Sequence, residues 1–155
     1  MHIHLIAVGR QMPPWVDEAF AEYQKRFPPQ FQLSLHEVAA GHRGKGADLA
    51  RIVAEEGRRT LAKVPHGSAI IALDQGGRVQ TSEILARNLD RFKLESRDVA
   101  LLIGGPEGLA PACLQAAEEK WSLSSLTLAH PVVRVVVAEQ LYRAWSILKG
   151  LPYHR

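Results

Sequence analysis

The feature that most constrains this chain is a set of short apolar runs at residues 3–8, 69–73 and 99–103, the first broken only by His4 and the other two without a polar residue, each halted by glycine or a turn and separated by amphipathic stretches. A run with no polar face reads as a strand buried on both sides, and its alternation with helices means a parallel sheet covered on both faces. The helical stretches have the right spacing. Pro13 and Pro14 start one whose apolar positions are Trp15, Val16, Ala19, Phe20, Tyr23 and Phe27. Leu49, Ile52, Val53, Thr60, Leu61 and Val64 mark a second, and Thr81 or Ser82 caps a third that runs to Leu94. Further helices are expected at 110–118 and 131–148, and a short strand at 121–124. Phe31, Leu33 and Leu35 alternate with Gln32, Ser34 and His36, the pattern of a strand buried on one face near a sheet edge. The expected fold class is therefore α/β, a parallel-type sheet flanked by helices in a single domain, 1–155.

The helix at 131–148 needs an argument, because Val132, Val133, Val135, Val136 and Val137 are β-formers. Pro131 suits a first turn, Glu139 and Arg143 make an i,i+4 pair, and Gly150 stands just past the end, so helix is the reading. A helix apolar on nearly every side must be covered all round, which in a domain of 155 residues points to a partner subunit.

Composition narrows the chemistry. With 46% hydrophobic and 23% charged residues, the chain has ordinary globular content, and no window approaches the roughly 18 apolar residues of a membrane span. No basic region and cleavable apolar segment open it, so a cytoplasmic protein without a membrane partner is expected. Cys113 is the single cysteine, which excludes an internal disulfide and a thiolate zinc cluster; among Ala110, Ala112, Ala116 and Ala117 it reads as a buried structural thiol. Phosphate-loop, dinucleotide, serine-hydrolase and zinc-protease motifs are absent, and of seven histidines only His2 and His4 are closely spaced, so no metal site is expected.

Ligands of parallel sheets bind outside the carboxyl ends of the strands. Here those ends are Leu73-Asp74, the glycine-rich Gly104-Gly105-Pro106-Glu107-Gly108, and the loop after Ser124, so three loops should converge on one crevice. Glycines there let backbone approach a ligand with no Cβ in the way. Backbone amides, Ser124, Ser125 and Thr127, walls from Leu73, Leu126 and Leu128, and no fixed cation suit an adenine ring without phosphates, as in S-adenosylmethionine. Ordinary αβ loops would have the same composition, and that reading stays open from the residues alone. The loop Gly41-His42-Arg43-Gly44-Lys45-Gly46 offers two cations with no neighbouring carboxylate in sequence. Arg43 and Lys45 are candidates for RNA phosphate contacts, beside the alternative of a solvated surface.

The runs Leu102-Ile103-Gly104-Gly105-Pro106-Glu107-Gly108, Trp121-Ser122-Leu123-Ser124, Leu126-Thr127-Leu128 with His130, Arg134, Glu139-Gln140-Leu141-Tyr142-Arg143-Ala144 and Tyr153-His154-Arg155 together resemble the RlmH family of ribosomal RNA methyltransferases. Residues 41–48, Leu73-Asp74, Gly77 and Thr81-Ser82 extend the likeness over nearly the whole chain; Ala129 departs from it, standing where a proline is frequent. The resemblance implies a SPOUT fold with a C-terminal deep trefoil knot, a homodimer, and S-adenosylmethionine-dependent N3 methylation of a pseudouridine in the helix 69 hairpin loop of 23S ribosomal RNA. It also implies cofactor contacts at Leu73, Gly105, Ser124, Ser125, Leu126, Thr127, Leu128 and Ala129, and an active-site role for the tail, reaching across the dimer. In that tail Tyr153 would stack on the base, His154 would accept the N3 proton, and Arg155 would steady the developing anion, with Glu139 the alternative base. A non-catalytic RNA-binding α/β module is the competing reading.

Overall fold

The computed structural model describes residues 1–155 and has the expected alternation of strand and helix. Strands β1 (His2–Val8), β2 (Gln32–Val38), β3 (Ala69–Val79), β4 (Val99–Ile103) and β5 (Glu119–Ser122) form one sheet in the order β2-β1-β4-β3-β5, parallel at every pairing. Helices α1 (Pro14–Gln24), α2 (Leu49–Ala62), α3 (Ser82–Leu94), α4 (Pro111–Ala116) and α5 (His130–Leu148) complete the fold, and a 3₁₀ turn, Pro152–His154, follows α5.

The strand order accounts for the layers. Steps from β1 to β2 and from β3 to β4 run one way along the sheet, whereas those from β2 to β3 and from β4 to β5 run the other. A single hand of crossover then sends alternate helices to opposite faces. On one face Ile3, Leu5, Ile71 and Leu101 meet Phe20 of α1, Leu89 and Phe92 of α3 and Leu141 of α5. On the other, Ile6, Val8, Ala72 and Leu102 lie under Cys113 of α4 and the half-buried Val53 and Leu61 of α2. Central β4 is buried at every position, as its wholly apolar sequence requires, and one-faced β2 lies at the sheet edge as expected.

Three boundaries differ from the sequence reading for physical reasons, the simplest being β5, which runs Glu119–Ser122 rather than 121–124 because Glu119 and Lys120 already pair with Ile71 and Ala72. Strand β3 does not stop at Leu73: Leu73 and Arg78 both pair with Trp121, so residues 74–77 bulge out of a ladder that then resumes. A Cβ on Gly77 would stand 2.6 Å from the Lys120 carbonyl carbon, so glycine is what lets the excursion lie against β5. Helix α4 ends at Ala116 because Ala117 turns extended and the Glu118 amide donates to the Ile70 carbonyl, returning the chain to the sheet.

Helix α2 buries residues that apolar periodicity passes over. Leu49 is exposed, as is Trp15 of α1, while Glu56 and Gly57 face inward beside the expected Thr60. The Thr60 hydroxyl is satisfied by the Glu56 carbonyl at 2.8 Å. Gly57 is there for contact with α4, since a Cβ would lie 2.4 Å from the Ala110 Cβ, and the Cys113 thiol points to the Gly57 carbonyl at 3.6 Å. Burial pushes that thiol's pKa up, in keeping with a structural cysteine.

Alanine in place of an exposed helical glycine gains about 1 kcal/mol, whereas overpacking a tight contact costs about 1–3 kcal/mol. At 2.4 Å the contact dominates, and we expect Gly57→Ala to lower the urea midpoint. Combining it with Ala110→Gly should recover most of the loss. A more stable single variant would mean that α2 and α4 are not in this contact.

Candidate functional site

The three loops do converge. The carboxyl ends of the adjacent strands β4, β3 and β5, with the start of α5, enclose a crevice of about 560 Å³. Leu73 contributes from the β3 ladder and Gln75 from its excursion, residues 104–108 from the loop after β4, and Ser124, Leu126, Thr127 and Leu128 from the loop after β5. His130 and Val133 of α5 close one side. Ser125 and Ala129 stand just outside this lining.

Each loop is held by its own polar contacts. The Asp74 carboxylate accepts from the Gly76 amide at 2.9 Å, and the Gln75 side-chain amide donates to the Thr127 hydroxyl at 2.8 Å, tying the first loop to the third. The Ser122 hydroxyl donates to the Ser124 carbonyl and the Ser124 hydroxyl accepts from the Leu126 amide. This turns Leu126 outward, where it is 75% exposed at the rim. The glycine loop folds on itself: the Gly108 amide donates to the Gly105 carbonyl at 2.9 Å, and Gly108 has φ +86°.

The reason for two of these glycines differs from the expectation. A Cβ on Gly104 would lie 2.2 Å from the Gly108 carbonyl carbon, and one on Gly105 would lie 3.2 Å from both Arg43 Nη2 and Val8 Cγ1. These positions lack side chains because the loop packs against its own backbone and against Arg43.

Arg43 itself requires a correction. Its neighbours in sequence hold no carboxylate, which makes it a candidate phosphate contact or a solvated surface group, but in the fold its guanidinium sits between two carboxylates. Nη1 donates to Glu56 at 2.6 Å and to the Gly41 carbonyl at 2.8 Å; Nη2 donates to Glu56 at 2.8 Å and Glu107 at 2.7 Å; Nε donates to Glu107 at 3.2 Å. No N–H is left over. Arg43 holds the Glu107 carboxyl below its usual range. Burial pushes Glu56 upward, but hydrogen bonds from Arg43 and the Gly41 amide outweigh it, and its carboxyl also lies low. A sequence signal for this existed: Glu56 lies four residues from both Ile52 and Thr60, on the inner stripe of α2, and a carboxylate there needs a buried cation. Lys45 is exposed and forms no ion pair with a carboxylate, so of the two cations only it keeps the form expected for a phosphate contact.

Sequence reasoning also gave no role to Arg134. Fully buried, it runs from α5 to the ends of β1 and β2, donating to the Gly9 carbonyl at 2.8 Å and to Glu37 at 2.7 Å. Its Nη2 is 3.5 Å from His130 Nε2. Burial, then the neighbouring Arg134 charge, lowers the His130 pKa, so the crevice presents a neutral imidazole.

Tyr153, His154 and Arg155 do not line the crevice of their own chain. The Tyr153 hydroxyl donates to Glu139 at 3.0 Å, its ring packs edge-on to Tyr142 with centroids 4.7 Å apart, and the Arg143 guanidinium lies 5.0 Å over it. Burial first, then Tyr23 and Glu139, pushes the phenol's pKa up. His154 lies near Glu83, and its Nδ1 is buried with no hydrogen-bond partner. Both Glu139 oxygens are engaged, one by Arg143 and Tyr153 and the other by Gln140, which fits an anchor better than a free base.

Chemically, the crevice offers backbone amides and carbonyls, hydroxyls and leucine walls. Its charged groups are the carboxylates of Asp74 and Glu107, with neither lysine nor arginine in the lining. A phosphate would find no cation here. An adenosine carrying a positive sulfonium fits this donor set.

Comparisons with known proteins agree with this geometry. A family described as "Predicted SPOUT methyltransferase" matches residues 1–154. Among solved structures, the chain is similar to one described as "Crystal structure of putative methylase family protein from Neisseria gonorrhoeae", with 14% identity, coverage of 90% of this chain and 81% of that one, and a TM-score of 0.51. At that identity the likeness shows the fold. No helix of the chain is long and apolar enough to cross a membrane.

His130 shares its shift with two residues on the sheet. His4 Nδ1 lies 3.0 Å from His36 Nε2, and burial, followed by charged neighbours, lowers both pKa values. In the unfolded chain these histidines take up protons near pH 6.5, before they do so in the fold. Acidification through that value therefore favours unfolding, and stability returns as pH rises. We expect the urea midpoint to fall between pH 7.5 and 5.5, a window in which ordinary carboxylates stay ionised; a flat profile would contradict it.

Proposed function

The chain belongs to the SPOUT methyltransferase family, and on that footing we propose that it moves a methyl group from S-adenosylmethionine to N3 of a pseudouridine in the helix 69 hairpin loop of 23S ribosomal RNA, on the assembled ribosome in the cytoplasm. The observation that carries the donor half of this reading is the crevice, where three strand-end loops meet without a lysine or arginine. The substrate half rests on the family resemblance.

Leu73, Leu126 and Leu128 would cover the faces of the adenine, and backbone groups near Gly105 and Thr127 would read its edge. Bound there, S-adenosylmethionine supplies an electrophilic methyl group and needs no metal to do so. The imide nitrogen must lose its proton before it attacks, and we assign that proton to His154. Tyr153 provides the stacking face and Arg155 the charge that steadies the anion. Because the tail leaves its own crevice unlined, this assignment requires it to serve the site of a second subunit.

Helix α5 is the surface for that dimer. In one protomer it packs on α1 and α3, but Val132 stays exposed and Val135 and Val136 only half-buried, which leaves an apolar strip to cover. The family resemblance supports the same pairing and a deep trefoil knot in the C-terminal part of each chain.

The reading is tested with calorimetry and a methyl-transfer assay on ribosomes lacking the modification. Wild-type protein should bind S-adenosylmethionine in the presence of chelator and label the 23S RNA. Gly104→Ala, whose Cβ meets the Gly108 backbone, should lose donor binding. Absence of donor binding by the wild type would favour the non-catalytic RNA-binding alternative.

Removing residues 153–155 should abolish transfer while leaving donor affinity unchanged, and His154→Ala should slow it about 10²-fold. Transfer at the wild-type rate by the truncated protein would remove the tail from the mechanism.

For the dimer, Val136→Arg should convert the sedimenting species to a monomer or unfold it. A wild type that sediments as a monomer at micromolar concentration would overturn the pairing.

A further inference from the structure

The Arg43 guanidinium joins three pieces of chain between which there is no backbone hydrogen bond. Through Glu56 it is fixed to α2, through the Gly41 carbonyl to its own loop, and through Glu107 to the glycine turn that forms a wall of the crevice. The planar fork is saturated. Its side chain is 20% exposed and that of Glu56 3%, so the central pair is shielded from solvent, while Glu107, at 32%, is the exposed end of the chain of contacts. Gly105 lies directly against the fork, where even a methyl group would be 3.2 Å from Nη2.

We infer that Arg43 is a positioning residue for the methyl-donor crevice: it clamps the 104–108 turn to the 41–46 loop, so that donor occupancy and the conformation of that loop are coupled. This rests on the reading that the crevice takes the donor. The same guanidinium cannot both hold Glu56 and Glu107 with every N–H and neutralise an RNA phosphate. The 41–46 loop therefore senses the donor through Arg43 and offers Lys45 outward, one loop serving two ligands through different residues. Coupling of this kind is reciprocal, and whatever orders 41–46 from outside should tighten the donor site.

Arg43→Lys and Glu107→Gln are the informative variants. Lysine keeps a cation beside the buried Glu56, and the glutamine keeps one acceptor, so neither leaves a buried charge alone. In the absence of any ligand, each should speed exchange of the Gly108 amide, which donates to the Gly105 carbonyl, by about tenfold or more, and of the Gly41 amide, which donates to Glu56, likewise. With donor, each should raise the donor KM by about tenfold while kcat at saturating donor stays within about twofold. The double variant should be no worse than the poorer single one, since both remove the same link. The slope of log RNA affinity against log salt should not change with Arg43→Lys and should fall by about 0.7–0.9 with Lys45→Ala.

Unchanged exchange at 104–108 in both variants would overturn the clamp whether or not the protein binds S-adenosylmethionine. Failure of wild-type donor binding, with faster exchange in the variants, would instead overturn the donor reading and leave the clamp standing. If Arg43→Ala lowers the salt slope with donor KM unchanged, Arg43 is a phosphate contact and the inference is wrong.

Discussion

A parallel strand can be entered only from the end opposite to where its neighbour finished, and this one constraint shapes the molecule. Each connection must travel back along the sheet, so the chain spends its helices on the faces and sends every strand-end loop to the same side. The reversal of direction at successive crossings, set by the order β2-β1-β4-β3-β5, puts β4, β3 and β5 side by side. Their three loops have no room to diverge. The crevice follows from the connectivity, and the side chains in it only decide what it prefers.

Charge inside such a frame has to be paired, and this chain uses two arginines to do it. Arg134 is wholly buried and binds α5 to the ends of β1 and β2; Arg43 binds α2 to the loop after β4. A buried ion pair is weak evidence for stability, because desolvation consumes most of the Coulombic gain, but losing one partner leaves a charge that nothing compensates. That asymmetry makes the pairs geometric pins. Both stand beside the crevice, where a hydrophobic contact would hold less direction than a guanidinium fork.

Much of this was legible in the sequence because it was local. The doubly apolar run at 99–103 has no alternative but a central strand, Thr81 caps α3 through the Ile84 amide, and Gly150 closes α5 with φ +67°. The convergence of the loops at Leu73, Gly104 and Ser124 followed from strand ends alone. Other features depended on partners far along the chain. Residues 74–77 have the composition of a turn and do turn, but only the backbone of β5 tells the strand to resume at Arg78. Arg43 looks unpaired among glycines because its carboxylates lie 13 and 64 residues away. The tail gives no periodic signal, and only its docking against Tyr142 and Glu139 shows that it is held.

Cys113 has a use that its inertness conceals. The thiolate is the form that reacts, and here burial raises the pKa while the sulfur faces the Gly57 carbonyl beneath α4. A thiol reagent can reach it only when α4 and α2 part. The chain thus carries a natural shutter on one face of its sheet, and the speed at which its single cysteine is consumed counts how often that shutter opens.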